Sequence, residues 1–300
     1  MKFKLIIAGL FLFSPFLFAD EPTPGKQTAQ TLELPKNMTF WAGTTQEERD
    51  AEKARRNALT PKQRSLEDQE RQRQLLEEIK NPKPLSETEK ETVNYWLFLP
   101  NNYKTDADKK FPLLLFLHGM GERGSDLKKV KIHGPPKLLD NPEQVKDWQF
   151  ITVSPQCPDH HTWSPLQLGL LLDDLETRYA VDKDRIYVTG LSMGGFGTWR
   201  LLSLFPDRFA AGVPICGGCH PDMAKQYAEI PLWVFHGARD SVVPVKMSTE
   251  MVEAIRTVCG KQVGLTIYPD VDHNSWTETY NNPSVYRWLL EQNRSKRKGK

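Results

Sequence analysis

Apolar and polar positions change rhythm along the chain. Residues 5–18 form an uncharged apolar run. Residues 20–44 carry Pro, Thr and Gln with no sustained period, which predicts a linker. Residues 45–92 are charged at helical spacing: Thr45 and Glu48 fit a capping box, Thr60-Pro61 fits an N-cap with proline at the first helical position, and Asn81-Pro82 fits a stop. The apolar residues of this prefix, Leu66, Leu75, Leu76 and Ile79, are too sparse for a heptad seam, so the pattern predicts a solvated helical pair.

From residue 93 to 292, short β-rich apolar runs alternate with helical stretches. That order predicts an α/β domain with a mostly parallel central sheet flanked by helices. Strands are predicted at residues 93–99, 111–117, 150–153, 186–189, 211–215, 232–235 and 264–268. The continuous apolar run at 111–117 reads as a strand buried on both faces. Helices are predicted to open at Ser164-Pro165, just after Ser192, near Val245 and near Pro283-Ser284.

Composition narrows the class. With 39% hydrophobic and 10% aromatic residues in 300, the chain can bury a sizeable core, which excludes global disorder. Charge is nearly balanced at 40 Lys+Arg against 38 Asp+Glu, and the 93–292 region holds 20 bases against 23 acids, so no nucleic-acid partner is expected. Five of the bases sit in a basic tail at 293–300, read as a solvated terminus. Lys2 and Lys4, the 5–18 run and Ala19 followed by Asp20-Glu21 predict a signal peptide at 1–19 cut after Ala19. That predicts export to the periplasm or medium, with no stable membrane span after cleavage. The four cysteines, Cys157, Cys216, Cys219 and Cys259, are few for a disulfide scaffold but compatible with one or two bridges in an exported protein, with no pairing assigned by the sequence. The Cys216-Gly-Gly-Cys219 spacing lacks a second CxxC, and no metal is expected.

The chemistry centres on Gly190-Leu191-Ser192-Met193-Gly194, a G-x-S-x-G that follows a predicted strand and opens a predicted helix. The flanking glycines allow a tight turn that lifts the serine hydroxyl above the sheet edge, with a helix N-terminus aimed at the same point. A serine needs a base, and the base an orienting acid, in the chain order Ser, acid, His. Asp240 ends the loop after the 232–235 strand and His273 the loop after the 264–268 strand, so these are the expected acid and general base. Asp270 and Asp272 are weaker candidates because residues adjacent to His273 rarely reach its ring from the correct side. His118 and His236, each before a glycine at a strand end, read as supports for loop backbone. An oxyanion hole needs two fixed N–H groups. Met193 is the first, and His118-Gly119-Met120-Gly121-Glu122-Arg123-Gly124 supplies the second, Met120 with Gly119 as the alternative. Glu122 and Arg123 are expected to hold that loop by ion pairing. Trp163 and Trp276, in loops at the same edge, are candidate substrate-stacking residues; the alternative is packing.

These residues resemble the α/β-hydrolase superfamily, in particular its exported esterase and peptidase-like branch, which includes polyhydroxybutyrate depolymerase-like, feruloyl-esterase-like and phospholipase/carboxylesterase-like enzymes. The resemblance covers residues 93–292 and rests on HGMGERG from His118, SPQCP from Ser154, DRIYVTGLSMGGFGTW from Asp184, HGARDSVVP from His236 and DHNSW from Asp272. It implies Ser192 as nucleophile, Asp240 as acid, His273 as base, amides of Met120 and Met193 at the oxyanion, and no cofactor. It implies hydrolysis of small-molecule or polysaccharide-linked esters; a serine peptidase of the prolyl-oligopeptidase type is the alternative. The charged prefix has no counterpart in the family pattern.

Overall fold

The computed structural model describes residues 21–35, 51, 54–60, 62–64, 66–67, 70, 74, 90–104, 109–258 and 263–299. The signal segment, the Thr45 capping box, the Asn81-Pro82 stop and Cys259 lie outside the described residues.

Eight strands form one sheet in the order β1-β2-β4-β3-β5-β6-β7-β8. They are β1 Gln27–Pro35, β2 Lys90–Phe98, β3 Phe111–Leu117, β4 Ile151–Pro155, β5 Val181–Leu191, β6 Ala211–Ile215, β7 Leu232–Gly237 and β8 Val263–Tyr268. β1 and β2 run antiparallel to their neighbours, and β4, β3, β5, β6, β7 and β8 are parallel. Every strand expected from the apolar runs is present, with ends shifted by a few residues. The principal helices are α1 Pro165–Arg178, α2 Met193–Leu204, α3 Lys246–Val258, α4 Trp276–Asn281 and α5 Pro283–Glu291.

The pleat explains how one run serves two cores. Along β3, Phe111, Leu113, Leu115 and Leu117 point to the face covered by α1, α2 and α3, where they meet Leu171, Trp199 and Met251. Leu114 and Phe116 point to the opposite face, with Tyr280, Val285 and Leu289 of α4 and α5. Because both faces are covered, the whole strand is buried and reads as continuously apolar. Ser164 caps α1 by accepting the Gln167 N–H, with Pro165 at the first helical position.

The stretch 20–44 is not simply a linker. Its residues 27–35 form β1, paired with β2 from Gln27 opposite Phe98 to Pro35 opposite Lys90. Thr28, Gln30 and Leu34 turn inward and Ala29, Thr31 and Glu33 outward. Two of the inward positions are polar, so the alternation carries almost no hydropathy signal, as suits an edge strand. The sheet therefore begins before residue 93.

In the prefix, Thr60 does cap: the Gln63 N–H donates to Thr60 Oγ1 at 3.3 Å while Gln63 Oε1 accepts the Thr60 N–H at 2.9 Å. Arg55 pairs with Glu67 at 2.7 Å across the Leu59–Thr60 break, an exposed contact that adds little stability. The basic tail is not frayed. Arg294 bonds Asp184 Oδ1 at 2.9 Å, and Arg297 donates to the Glu229 and Phe209 carbonyls, so guanidinium groups hold the tail on the domain.

Candidate active site

Ser192 sits where β5 ends and α2 begins, at φ 51° and ψ −115°, a strained conformation for a residue with a side chain. The crossing is possible because its neighbours have no Cβ: one on Gly194 would collide with the Leu117 carbonyl, and one on Gly190 with the Gly194 carbonyl. The Ser192 N–H donates to Ile215 O at 3.0 Å, which fixes the turn to β6.

The loops after β7 and β8 bring Asp240 and His273 to this turn. His273 Nε2 lies 2.9 Å from Ser192 Oγ, and His273 Nδ1 lies 2.8 Å from Asp240 Oδ2. A carboxylate can only accept, so Nδ1 carries the hydrogen and Nε2 is left to accept from the serine hydroxyl. The Asp240 side chain is wholly buried, and its Oδ1 accepts the Val242 and Val243 N–H groups at 2.9 and 2.7 Å. Asp272 does not approach the imidazole ring. Its Oδ1 accepts the Ser241 and His273 N–H groups, each at 2.8 Å, tying the two loops together, and Ser241 holds its carboxyl below the usual carboxylate range.

Two of the expected oxyanion donors each open a helical turn. Met193 is the first residue of α2 and Met120 opens the short turn after β3. Gly119 is not available: its N–H donates to Glu122 Oε2 at 2.8 Å. Glu122 thus holds the loop by a backbone hydrogen bond and not by pairing with Arg123, which reaches the carbonyls of His161 and Met120. His118 also supports the loop. Its Nδ1 donates to Gly119 O at 2.6 Å and its Nε2 accepts the Cys157 N–H at 2.9 Å, and burial lowers its pKa to about 4, so the ring is neutral.

The two tryptophans separate. Trp163 is 5% exposed, donates through Nε1 to His118 O at 3.1 Å and packs edge-on against the His118 ring. It packs behind the 118–124 loop, and its burial leaves no open ring face for stacking. Trp276 stands beside His273, its ring centroid 5.3 Å from that imidazole and 5.4 Å from the His133 ring. His133 is a neighbour that sequence reasoning misses, because nothing in its Lys-Ile-His-Gly context signals this position. His236 supports loop backbone as expected, its Nε2 2.9 Å from Val243 O, and the same nitrogen lies 3.1 Å from Asp240 Oδ2.

Among the described residues, the one cluster with metal-ligand spacing is Cys216, Asp240 and His273. Burial pushes the Cys216 thiol up to about 12, so it stays protonated, and the other two donors are engaged with each other. This donor set fits proton transfer better than metal binding. Cys219 accepts from Tyr227 Oη at 3.3 Å, in a structural role.

A family described as phospholipase/carboxylesterase matches residues 167–283, a span that includes Ser192, Asp240 and His273. Over 200 residues the chain is 24% identical to a bifunctional acetylxylan esterase/xylanase of Neocallimastix patriciarum, covering 64% of this chain and 27% of that protein. A 53-residue stretch is 40% identical to poly(3-hydroxyalkanoate) depolymerase C of Paucimonas lemoignei, covering 18% of this chain and 13% of that one. A solved thermostable esterase superposes with a TM-score of 0.59 at 33% identity, over 69% of this chain and 61% of its own. The chain therefore spans about a quarter of the length of the Neocallimastix patriciarum relative and less than two thirds of the solved esterase.

Proposed function

The chain has the α/β-hydrolase fold, and we propose that it is a serine carboxylic-ester hydrolase working through an acyl-enzyme. The observation that carries this reading is the hydrogen-bonded series Ser192 Oγ, His273 Nε2, His273 Nδ1, Asp240 Oδ2, with steps of 2.9 and 2.8 Å. His273 takes the serine proton as Ser192 attacks the ester carbonyl, and buried Asp240 stabilises the imidazolium. The amides of Met120 and Met193 hold the tetrahedral oxyanion. His273 then returns the proton to the departing alcohol, and water releases the acyl group by the same steps.

For the substrate, the reading is an acyl or feruloyl ester carried by a polysaccharide. The similarity to a protein named as an acetylxylan esterase supports it, as does Trp276, whose partly exposed indole stands beside His273 where a ring could stack. The near-neutral 93–292 region supplies no cationic surplus for a polyanion. Action outside the cytoplasm follows from the Lys2, Lys4 and apolar signal pattern; no helix among the described residues is long and apolar enough to cross a membrane.

The test is hydrolysis of p-nitrophenyl acetate, p-nitrophenyl butyrate, methyl ferulate, acetylated xylan and N-acyl peptides by the wild type and Ser192→Ala. Ester turnover that falls by roughly a thousandfold or more in the variant is expected. Full ester turnover by Ser192→Ala, or peptides cleaved in preference to every ester, overturns the reading.

A further inference from the structure

His236 takes no part in the proton path, yet it is wholly buried and reaches the same carboxylate oxygen as His273. Its Nε2 lies 3.1 Å from Asp240 Oδ2 and 2.9 Å from Val243 O. On the other side of the ring, Nδ1 lies 2.7 Å from Ser248 Oγ, which α3 holds 3.1 Å from Gly217 O. Both partners of Nε2 can only accept, so Nε2 carries a hydrogen; the single Ser248 hydroxyl hydrogen faces both Nδ1 and the Gly217 carbonyl, and in the neutral ring it is Nδ1 that accepts it.

We infer that His236 is a positioning residue for the acid: its Nε2–H, hydrogen-bonded to Val243 O and 3.1 Å from Asp240 Oδ2, holds in place the oxygen that accepts the His273 Nδ1–H bond. With Oδ1 held by Val242 and Val243, both oxygens of Asp240 are then anchored and the carboxylate cannot rotate away from His273. Charge explains why an imidazole suits this place. Burial lowers the His236 pKa, so the ring is a neutral donor, and the ionisable groups facing it are Asp240 and His273. A fixed cation there would compete with the His273 imidazolium for the same oxygen as the proton moves. A neutral donor orients Asp240 and draws only part of the charge from Oδ2.

The inference rests on the ester-hydrolase reading, and its test separates the two. His236→Phe keeps a ring but loses the donor, and His236→Gln keeps an N–H that can reach Oδ2. Turnover of p-nitrophenyl acetate is measured from about pH 5 to pH 9 for these variants and for Ser192→Ala, with circular dichroism and thermal melts confirming the fold. His236→Phe is expected to lower kcat about 10- to 100-fold, the loss of one hydrogen bond to a charged group, with KM changed by less than about threefold. The acid limb of kcat/KM moves to higher pH, because Oδ2 regains the charge that His236 withdrew and holds the His273 proton more tightly. His236→Gln recovers part of both effects. Folded His236→Phe with unchanged kcat and acid limb overturns the inference, as does a lowered kcat with an unmoved limb, which marks a packing role. If His236→Phe does not fold, Ser248→Ala replaces it: an acid limb displaced the same way supports the inference, and an unmoved one overturns it. Full turnover by Ser192→Ala brings down the hydrolase reading itself.

Discussion

Glu122 Oε2 accepts the Gly119 N–H at 2.8 Å, three residues back along the chain. This bond commits the Gly119 N–H to Glu122, so in the proposed mechanism the second oxyanion donor is the following amide, that of Met120. Gln156 steadies the same turn, its amide donating to Glu122 O at 2.9 Å and to Asp126 O at 2.8 Å. Glu122 is 7% exposed, so its carboxylate is committed to the loop.

Glu122→Ala should therefore act on rate more than on substrate binding. The variant leaves a buried N–H without a partner and frees the loop that carries one oxyanion donor, so kcat is expected to fall about 10- to 100-fold while KM stays within about threefold. Glu122→Gln keeps an acceptor oxygen and should retain most of the rate. Steady-state kinetics on p-nitrophenyl acetate check both, and an unaltered kcat in a folded Glu122→Ala would remove the loop from the oxyanion argument.

His118 makes stability depend on pH in a definite direction. Its pKa is lowered from 6.5 to about 4 in the folded chain because burial penalises the charged ring. Between those values the unfolded chain binds a proton that the folded chain refuses. Stability is at its full value above about pH 6.5 and is lost progressively as pH falls to about 4, by roughly 3 kcal/mol from this group. Urea melts of the wild type and His118→Gln at pH 7 and pH 4.5 measure the difference, and the variant is expected to lose less stability on acidification. Equal losses in the two proteins would show that His118 does not set the acid limit.

Gly194 offers a test that involves no ionisable group. Since a Cβ there meets the Leu117 carbonyl, backbone against backbone, relief requires moving β3 away from the nucleophile turn. Gly194→Ala should cost about 2 kcal/mol or more and lower Tm by several degrees, with kcat falling alongside. A variant with wild-type Tm and rate would mean that the turn is less tightly packed than these contacts require.

The sequence made this turn legible because its demands are local: a strand, two glycines at fixed offsets and a helix start leave Ser192 few other placements. Asp240 and His273 were legible for a related reason, since each follows an apolar parallel strand and such loops gather at one sheet edge. What stayed hidden depends on partners distant in sequence. β1 was hidden because Thr28 and Gln30 fill inward positions, and the tail's anchoring because Arg294 and Arg297 find their partners only after folding. The Gly119 N–H was hidden in another way: its acceptor is only three residues away, but the loop's tight turn, not its composition, delivers Glu122 to it.

The two tryptophans in loops near the site look alike in sequence, and the structure predicts different phenotypes for them. Trp163 fills the space behind the oxyanion loop, against Gly197, where a Cβ would press into the indole at about 2.8 Å, and its Nε1 serves His118 O. Trp163→Ala should thus behave as a core truncation, losing about 3 to 5 kcal/mol of stability and lowering kcat on every ester alike. Trp276 is only partly buried, packs one side on the core and faces His273 and His133, so Trp276→Ala should lower Tm less than Trp163→Ala does and raise KM selectively for esters with an aromatic or sugar ring. The comparison is made by melting both variants and measuring KM on p-nitrophenyl acetate, methyl ferulate and acetylated xylan. If Trp276→Ala raises KM equally for simple and ring-bearing esters, the indole does not discriminate substrates, and specificity must be sought on other walls of the site.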